Sequence, residues 1–183
     1  MKVIVFVLLL AGCASLESPD PASPYYAYSS GWVARLNRPL TIPVDSATVR
    51  LQYGQIVPRN SVQEQDPFCV VELNTVGSAP QILRPGDFDV LQVTRSISPV
   101  ISRAAHSPFM KTRFVFDDGA PTFLYYITTF RLRDPAQPDL RSMTCAWNQM
   151  APGNRALMRH LSLDEIRGAL GGWMNLIPPQ STL

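Results

Sequence analysis

From Trp32 onward the chain divides into short runs with apolar residues at every second position, each run closed by Pro, Gly, Asn or Asp. A period of two puts alternate side chains on opposite faces of an extended backbone, so these runs read as strands joined by turns. Val49, Leu51 and Tyr53 alternate with Arg50 and Gln52, and a turn is expected at Gly54 or at Pro58-Arg59-Asn60. Cys69, Val71 and Leu73 share one face of the next run. Arg84-Pro85-Gly86-Asp87 is a turn signal, after which Leu91, Val93 and Ile97 point one way and Gln92, Thr94 and Ser96 the other.

Phe114 and Phe116 alternate with Arg113 and Val115, and Asp117-Asp118-Gly119 turns the chain, with Ala120-Pro121 lengthening the turn. The spacing from Lys111 to Arg133 therefore predicts a hairpin. Its second arm, Phe123 to Leu132, is apolar or aromatic on both faces and predicts a central strand buried on two sides. Another turn is expected from Asp134-Pro135 to Asp139, followed by a strand on which Met143, Cys145 and Trp147 share a face.

Two segments break the strand pattern. Residues 99–110, with Arg103, His106 and Pro108, show no period and make a long connection of the kind that is often functional. Near the end, Ser162 with Glu165 three residues on forms a capping box, Leu163, Ile166 and Leu170 recur at helical spacing, and Gly171-Gly172 stop the run. One amphipathic helix over about 162–171 is predicted to end the domain and to cover a sheet face or an open barrel end. The expected fold is mainly β, an antiparallel β-sandwich or partly open barrel with one C-terminal α-helix.

The first residues have a different character. Lys2 leads into the apolar run Val3 to Leu10, followed by Ala11-Gly12-Cys13, which is the layout of a secretory signal. Eight apolar residues are too few to span a bilayer core that needs about 20. The segment resembles the signal of bacterial lipoproteins. In that family the positions of Leu10, Ala11 and Gly12 form the lipobox, cleavage falls before the cysteine, and the new N-terminal cysteine is acylated. The resemblance implies a signal peptide over 1–12, lipidation of Cys13, and a partner in the lipid bilayer. Sorting in the family turns on an aspartate after the cysteine, and here that place is Ala14, which implies the outer membrane, facing the periplasm. One acyl chain binds a membrane only marginally, whereas two or three give a lasting anchor.

Residues 13–31 then read as the lipidated cysteine and a Pro/Ser-rich tether, with Tyr25, Tyr26 and Tyr28 packing on the domain edge, lying at the membrane interface or meeting a partner. In a polyproline-like conformation residues 14–31 would reach up to roughly 55 Å, enough to hold the domain clear of the headgroups. Residues 32–183 form a single domain of a size that can bury a sizeable core. With Cys13 spent on lipid, Cys69 and Cys145 remain as an even pair in an oxidising compartment, expected to form a disulfide rather than to stay as buried free thiols. Closing a loop of that length would add about 4 to 5 kcal/mol in the chain-entropy model.

The formal charge is +2, from 16 basic and 14 acidic residues that are scattered along the chain, so no electrostatic case for nucleic acid follows. Chemical motifs are weak. His106-Ser107 could pair with Asp87 or Asp89 as a hydrolytic set, but no nucleophile elbow supports it. Asp87, Asp89, Asp117 and Asp118 sketch a calcium site, although turn-forming aspartate after Pro-Gly and before Gly is the commoner cause. Arg131, Arg133 and Arg141 could grip a phosphate or carboxylate, or simply guard a strand edge. Catalytic residues, metal and cofactors are expected to be none.

The segments Arg38–Pro43, Pro67–Leu73 and Leu140–Cys145 loosely resemble those of small uncharacterised proteobacterial envelope proteins, a likeness that carries no mechanism. The function expected is that of a non-enzymatic, membrane-anchored periplasmic lipoprotein with a structural, adaptor or assembly role and an envelope protein partner. The alternative is a module for a small apolar ligand or lipid, built on Phe114, Phe116, Phe123, Tyr125 and Tyr126. A hydrolase is the remote one.

Overall fold

The computed structural model describes residues 18–29, 31–99 and 122–179. The signal region, Cys13, the connection 100–121 with His106 and Ser107, and the expected turn at Asp117-Asp118-Gly119 lie outside the described residues. Within them the chain forms β1 (Val33–Leu36), β2 (Leu40–Ile42), β3 (Thr48–Gln52), β4 (Gln55–Val57), a one-turn 3-10 helix (Arg59–Ser61), β5 (Phe68–Leu73), β6 (Gln81–Leu83), β7 (Gly86–Pro99), β8 (Thr122–Arg133), β9 (Leu140–Ala151), α1 (Leu163–Leu170) and β10 (Met174–Ile177).

Eight strands make one antiparallel sheet in the order β10-β1-β7-β8-β9-β5-β3-β4, and β2 pairs with β6 in a small second sheet. Helix α1 packs against β3 and β5 towards one end of that order and against β10 at the other. In a flat sheet β3 and β10 would stand about 29 Å apart, six steps of roughly 4.8 Å, far wider than a helix about 10 Å across. The sheet therefore curls around the helix into a half-barrel. This is the partly open barrel of the two architectures expected from the sequence. Its hollow side is filled: Trp32, Leu36, Leu51, Phe88, Phe130, Met143, Ile166 and Leu170 are all essentially buried, and Leu40, Ile42 and Leu83 of the small sheet join the same core.

Local chemistry explains the turns. The β3–β4 hairpin turns on Tyr53 and Gly54, both at positive φ (52° and 72°), the two-residue geometry that matches strand twist. Tyr53 is thus an exposed turn residue and does not continue the buried row of Val49 and Leu51. Pro58-Arg59-Asn60 instead enters the 3-10 turn. At the helix, the Ser162 hydroxyl accepts from the Glu165 amide at 3.2 Å and a Glu165 carboxylate oxygen accepts from the Ser162 amide at 2.8 Å, completing the capping box. Gly171 (φ 55°) ends the helix against the hairpin, where the Gly54 amide donates to the Ala169 carbonyl at 3.1 Å. A Cβ at Gly171 would stand 2.3 Å from the Gly54 Cα, so this contact admits only glycine.

Three further expectations are corrected. A bulge between Val90 and Gln92 shifts β7 by one residue, so Phe88 and Val90 face the core and the row continues through Val93 and Arg95. Leu91, the extra residue, is exposed. β8 is central but buried on one face only: Tyr126, Thr128, Phe130 and Leu132 point inward while Phe123 and Arg131 are exposed. From Leu124 to Arg131 β8 is flanked by β7 and β9; the first arm of the expected hairpin, residues 111–116, lies outside the described residues. Finally, α1 does not end the domain, because β10 follows it and pairs with β1.

The segment expected to be an extended tether is folded onto the domain over residues 18–29. Ser18 and Tyr26 form a β-bridge, the Pro21 carbonyl accepts from the Leu163 amide at 3.0 Å, and Tyr26 and Tyr28 pack against the core. The aromatic rings decide this. Tyr26, Tyr28, Trp32 and Phe130 meet edge to face at 5.2 to 5.8 Å, contacts worth more than an extended, solvated chain could offer.

Candidate functional site

Cys69 on β5 and Cys145 on β9 are direct cross-strand partners on the inner face and are joined by a disulfide, both fully buried. Alternation in each strand aims the two thiols at one point, flanked by Val71 and Leu73 on one strand and Met143 and Trp147 on the other. Cys13, the expected lipidation site, lies outside the described residues.

Towards the end of the half-barrel where β8 begins and β9 finishes, polar chemistry enters the inner face. The bulge in β7 puts Arg95 there, opposite Thr128. Its guanidinium donates to the Tyr26 carbonyl at 2.9 Å and lies over the Tyr28 ring at 5.4 Å. Burial pushes the Tyr28 phenol up to about 12, although the Arg95 charge pulls the other way. His160 stacks edge to face on Tyr126 at 5.8 Å; burial and then the Arg95 charge hold its imidazole below the usual histidine range, against the Ile127 carbonyl. Tyr28 Oη, Arg95 Nε, Thr128 Oγ1 and His160 Nδ1 are all buried with no hydrogen-bond partner among the described residues. Nearby, Arg159 spans Trp147 and α1. Its guanidinium binds both oxygens of Glu165 at 2.8 Å and lies 4.9 Å from the Trp147 ring, whose Nε1 donates to the Arg159 carbonyl at 2.7 Å.

The outer face carries hydroxyl and charged groups. A shallow groove of about 470 Å³ is lined by Gln92 and Thr94 of β7, Thr129 and Arg131 of β8, Arg141, Ser142 and Thr144 of β9, and Glu72. Thr129 and Thr144 share a hydrogen bond at 3.2 Å, the Ser142 hydroxyl donates to Glu72 at 3.1 Å, and Arg141 pairs with Glu72 at 3.5 Å. Arg131, Arg133 and Arg141, grouped from sequence, do come together along an adjoining hollow of about 280 Å³ with Asn74 and Asp134. Such a surface can form hydrogen bonds to a polar partner and can pair with anionic groups.

The other sequence candidates are separated. Asp87 makes a two-pronged ion pair with Arg35 of β1 at 2.6 and 2.8 Å, which holds its carboxyl below the usual carboxylate range and occupies the oxygens that a cation would need. Asp89 stands opposite Arg133. No cluster of three His, Cys, Asp or Glu with metal-binding spacing exists among the described residues. Tyr125 and Tyr126 face opposite sides of β8, so the aromatics do not form one wall around a ligand; Phe114 and Phe116 lie outside the described residues. Arg95 shares the face of Val93 and Ile97 marked by their alternation, but a lone charged side chain carries no local signal of burial. Comparison with protein-family models, curated proteins and solved structures finds no match for this chain.

Proposed function

We propose that this chain is a lipid-anchored envelope protein with a structural, adaptor or assembly role, tethered through acylated Cys13 and facing the periplasm from the outer membrane. The observation that carries the reading is the division of the cysteines. Cys69 and Cys145 are joined in the core, a bond that persists in oxidising compartments, while the one remaining cysteine, Cys13, stands at the end of a lipobox-like signal. The polar outer face, with its open arginines, is a surface for a protein partner.

The deciding experiment is intact mass, with and without reductant, of the protein extracted from separated inner and outer membranes. A chain beginning at acylated Cys13, two hydrogens lighter before reduction and recovered with the outer membrane, is the expected result. An unacylated soluble species overturns the proposal. For the adaptor role, cross-linking followed by purification from envelopes is expected to yield one recurrent partner, and its loss on Arg131→Glu would map the contact to the outer face.

A further inference from the structure

We infer that the domain lies directly on the lipid surface, with the end bearing Tyr25, Ile97 and Leu157 turned towards the bilayer; this rests on the lipid anchor proposed above. The docked segment is what limits the reach. Had residues 14–31 been an extended tether, the domain could stand well clear of the headgroups and turn any side to them. Instead the chain is fastened at Ser18, whose amide donates to the Tyr25 carbonyl at 3.0 Å and whose carbonyl accepts from the Ala27 amide at 3.0 Å. Only five residue steps separate Cys13 from Ser18. Whatever path they take, covalent geometry caps their reach at about 18 Å. A domain of some 150 residues is about 40 Å across, from a radius of gyration of roughly 15 Å. The end beside Ser18 therefore stays within about 18 Å of the membrane, and the far end, about 40 Å away, cannot be the end turned to it.

That end is identifiable. Ser18 bonds to the Tyr25–Ala27 stretch, the Tyr26 carbonyl is held by Arg95, and the Pro21 carbonyl is held by Leu163 at the start of α1. Ile97 follows Arg95 by two residues on the same face of β7 and is 56 % exposed; Leu157, three residues before His160, is 37 % exposed, and Tyr25 is 53 % exposed. The loop over 152–157 is exposed throughout and carries Arg155 beside Leu157, an apolar side chain and a cation suited to the headgroup boundary. Asp20 offsets part of that charge, so apolar insertion rather than charge attraction is the expected contact. The opposite end also exposes apolar side chains, Val76 and Ile82 among them. Exposure alone therefore does not select the face, and the short reach does. The two ends are well separated: Asn74 bonds to Asp139 just before β9 begins, whereas Arg159 sits at Trp147, about 23 Å further along that strand.

The test uses the acylated mature protein purified from envelopes, carrying a single reporter cysteine, Leu157→Cys or Val76→Cys, labelled with a nitroxide and reconstituted into phosphatidylethanolamine–phosphatidylglycerol vesicles. The disulfide cysteines are buried and bonded, so the label goes to the reporter. Collisions with a water-soluble nickel chelate are expected to be several-fold fewer at position 157 than at 76, with the opposite trend for oxygen. Equal access of the chelate at both positions, or shielding at 76 alone, overturns the inference while leaving the anchor intact. Intact mass of the same samples reports acylation independently; a chain lacking acyl groups removes the anchor, and the inference falls with it.

Discussion

Tyr28 brings a hydroxyl into the core beside the Arg95 guanidinium, and that hydroxyl finds no hydrogen-bond partner among the described residues. A buried polar atom without a partner costs free energy, whereas its ring contributes contact area. Tyr28→Phe is therefore expected to leave stability unchanged or raise it slightly, while Tyr28→Ala should cost about 3 to 5 kcal/mol, both read from urea denaturation. His160 gives a pH dependence of definite sign. Its folded-state pKa lies below the ordinary 6.5, so between the two values the unfolded chain binds more protons and stability falls as pH drops through 6.5. Glu165 acts at lower pH. Burial works against its charge, but the Arg159 guanidinium and the Ser162 amide outweigh it and hold the pKa below the ordinary 4.5. Stability from that carboxylate is lost as pH falls from about that value through the folded pKa. The denaturation midpoint should drop as pH falls through about 6.5 towards the lower folded-state pKa of His160, and His160→Gln should flatten that first decline without removing the second.

At the level of elements, the strongest predictions concern the joints between the sheet and α1. Ser162→Ala removes a helix cap and is expected to destabilise by about 1 kcal/mol. Gly171→Ala should cost more, roughly 2 kcal/mol or above, because it combines positive φ with a clash against the Gly54 backbone. Opening the disulfide should reduce stability by about 4 to 5 kcal/mol for a separation of 76 residues, measured as the difference between denaturation curves with and without reductant. Because β5 and β9 are hydrogen-bonded neighbours along their whole register, the reduced protein should keep its strand signal in circular dichroism below that lower midpoint. Retention of full stability on reduction would show that this loop is already restrained in the unfolded chain.

For the molecule as a whole, the docking of residues 18–29 sets where the domain sits. Inserting about twelve Gly/Ser residues between Cys13 and Ser18 adds an r.m.s. reach of roughly 20 Å and should raise chelate access at position 157 towards that at 76. Much of this protein was legible from the amino-acid order. The β class, the Cys69, Val71 and Leu73 face, the Met143, Cys145 and Trp147 face, a turn at Gly54 or shortly after it and the capping box at Ser162 depend on periods and local chemistry spanning a few residues. What escaped was non-local. Leu91 bulges out, and Phe88 and Val90 face the core in one row with Val93, because β7 must keep register with β8, and no local period records an added residue. Met174–Ile177 becomes a strand because β1 offers an edge. Domain-edge packing is one of the readings open for Tyr26 and Tyr28, and it is realised because Phe130, distant in sequence, joins Trp32 in a surface for their rings. The amino-acid order alone set which faces are apolar, where the chain can turn and which cysteines could meet. The tertiary structure decided which edges pair, how far the sheet curls and how short the anchor is, since those depend on burial gained only when separated segments come together.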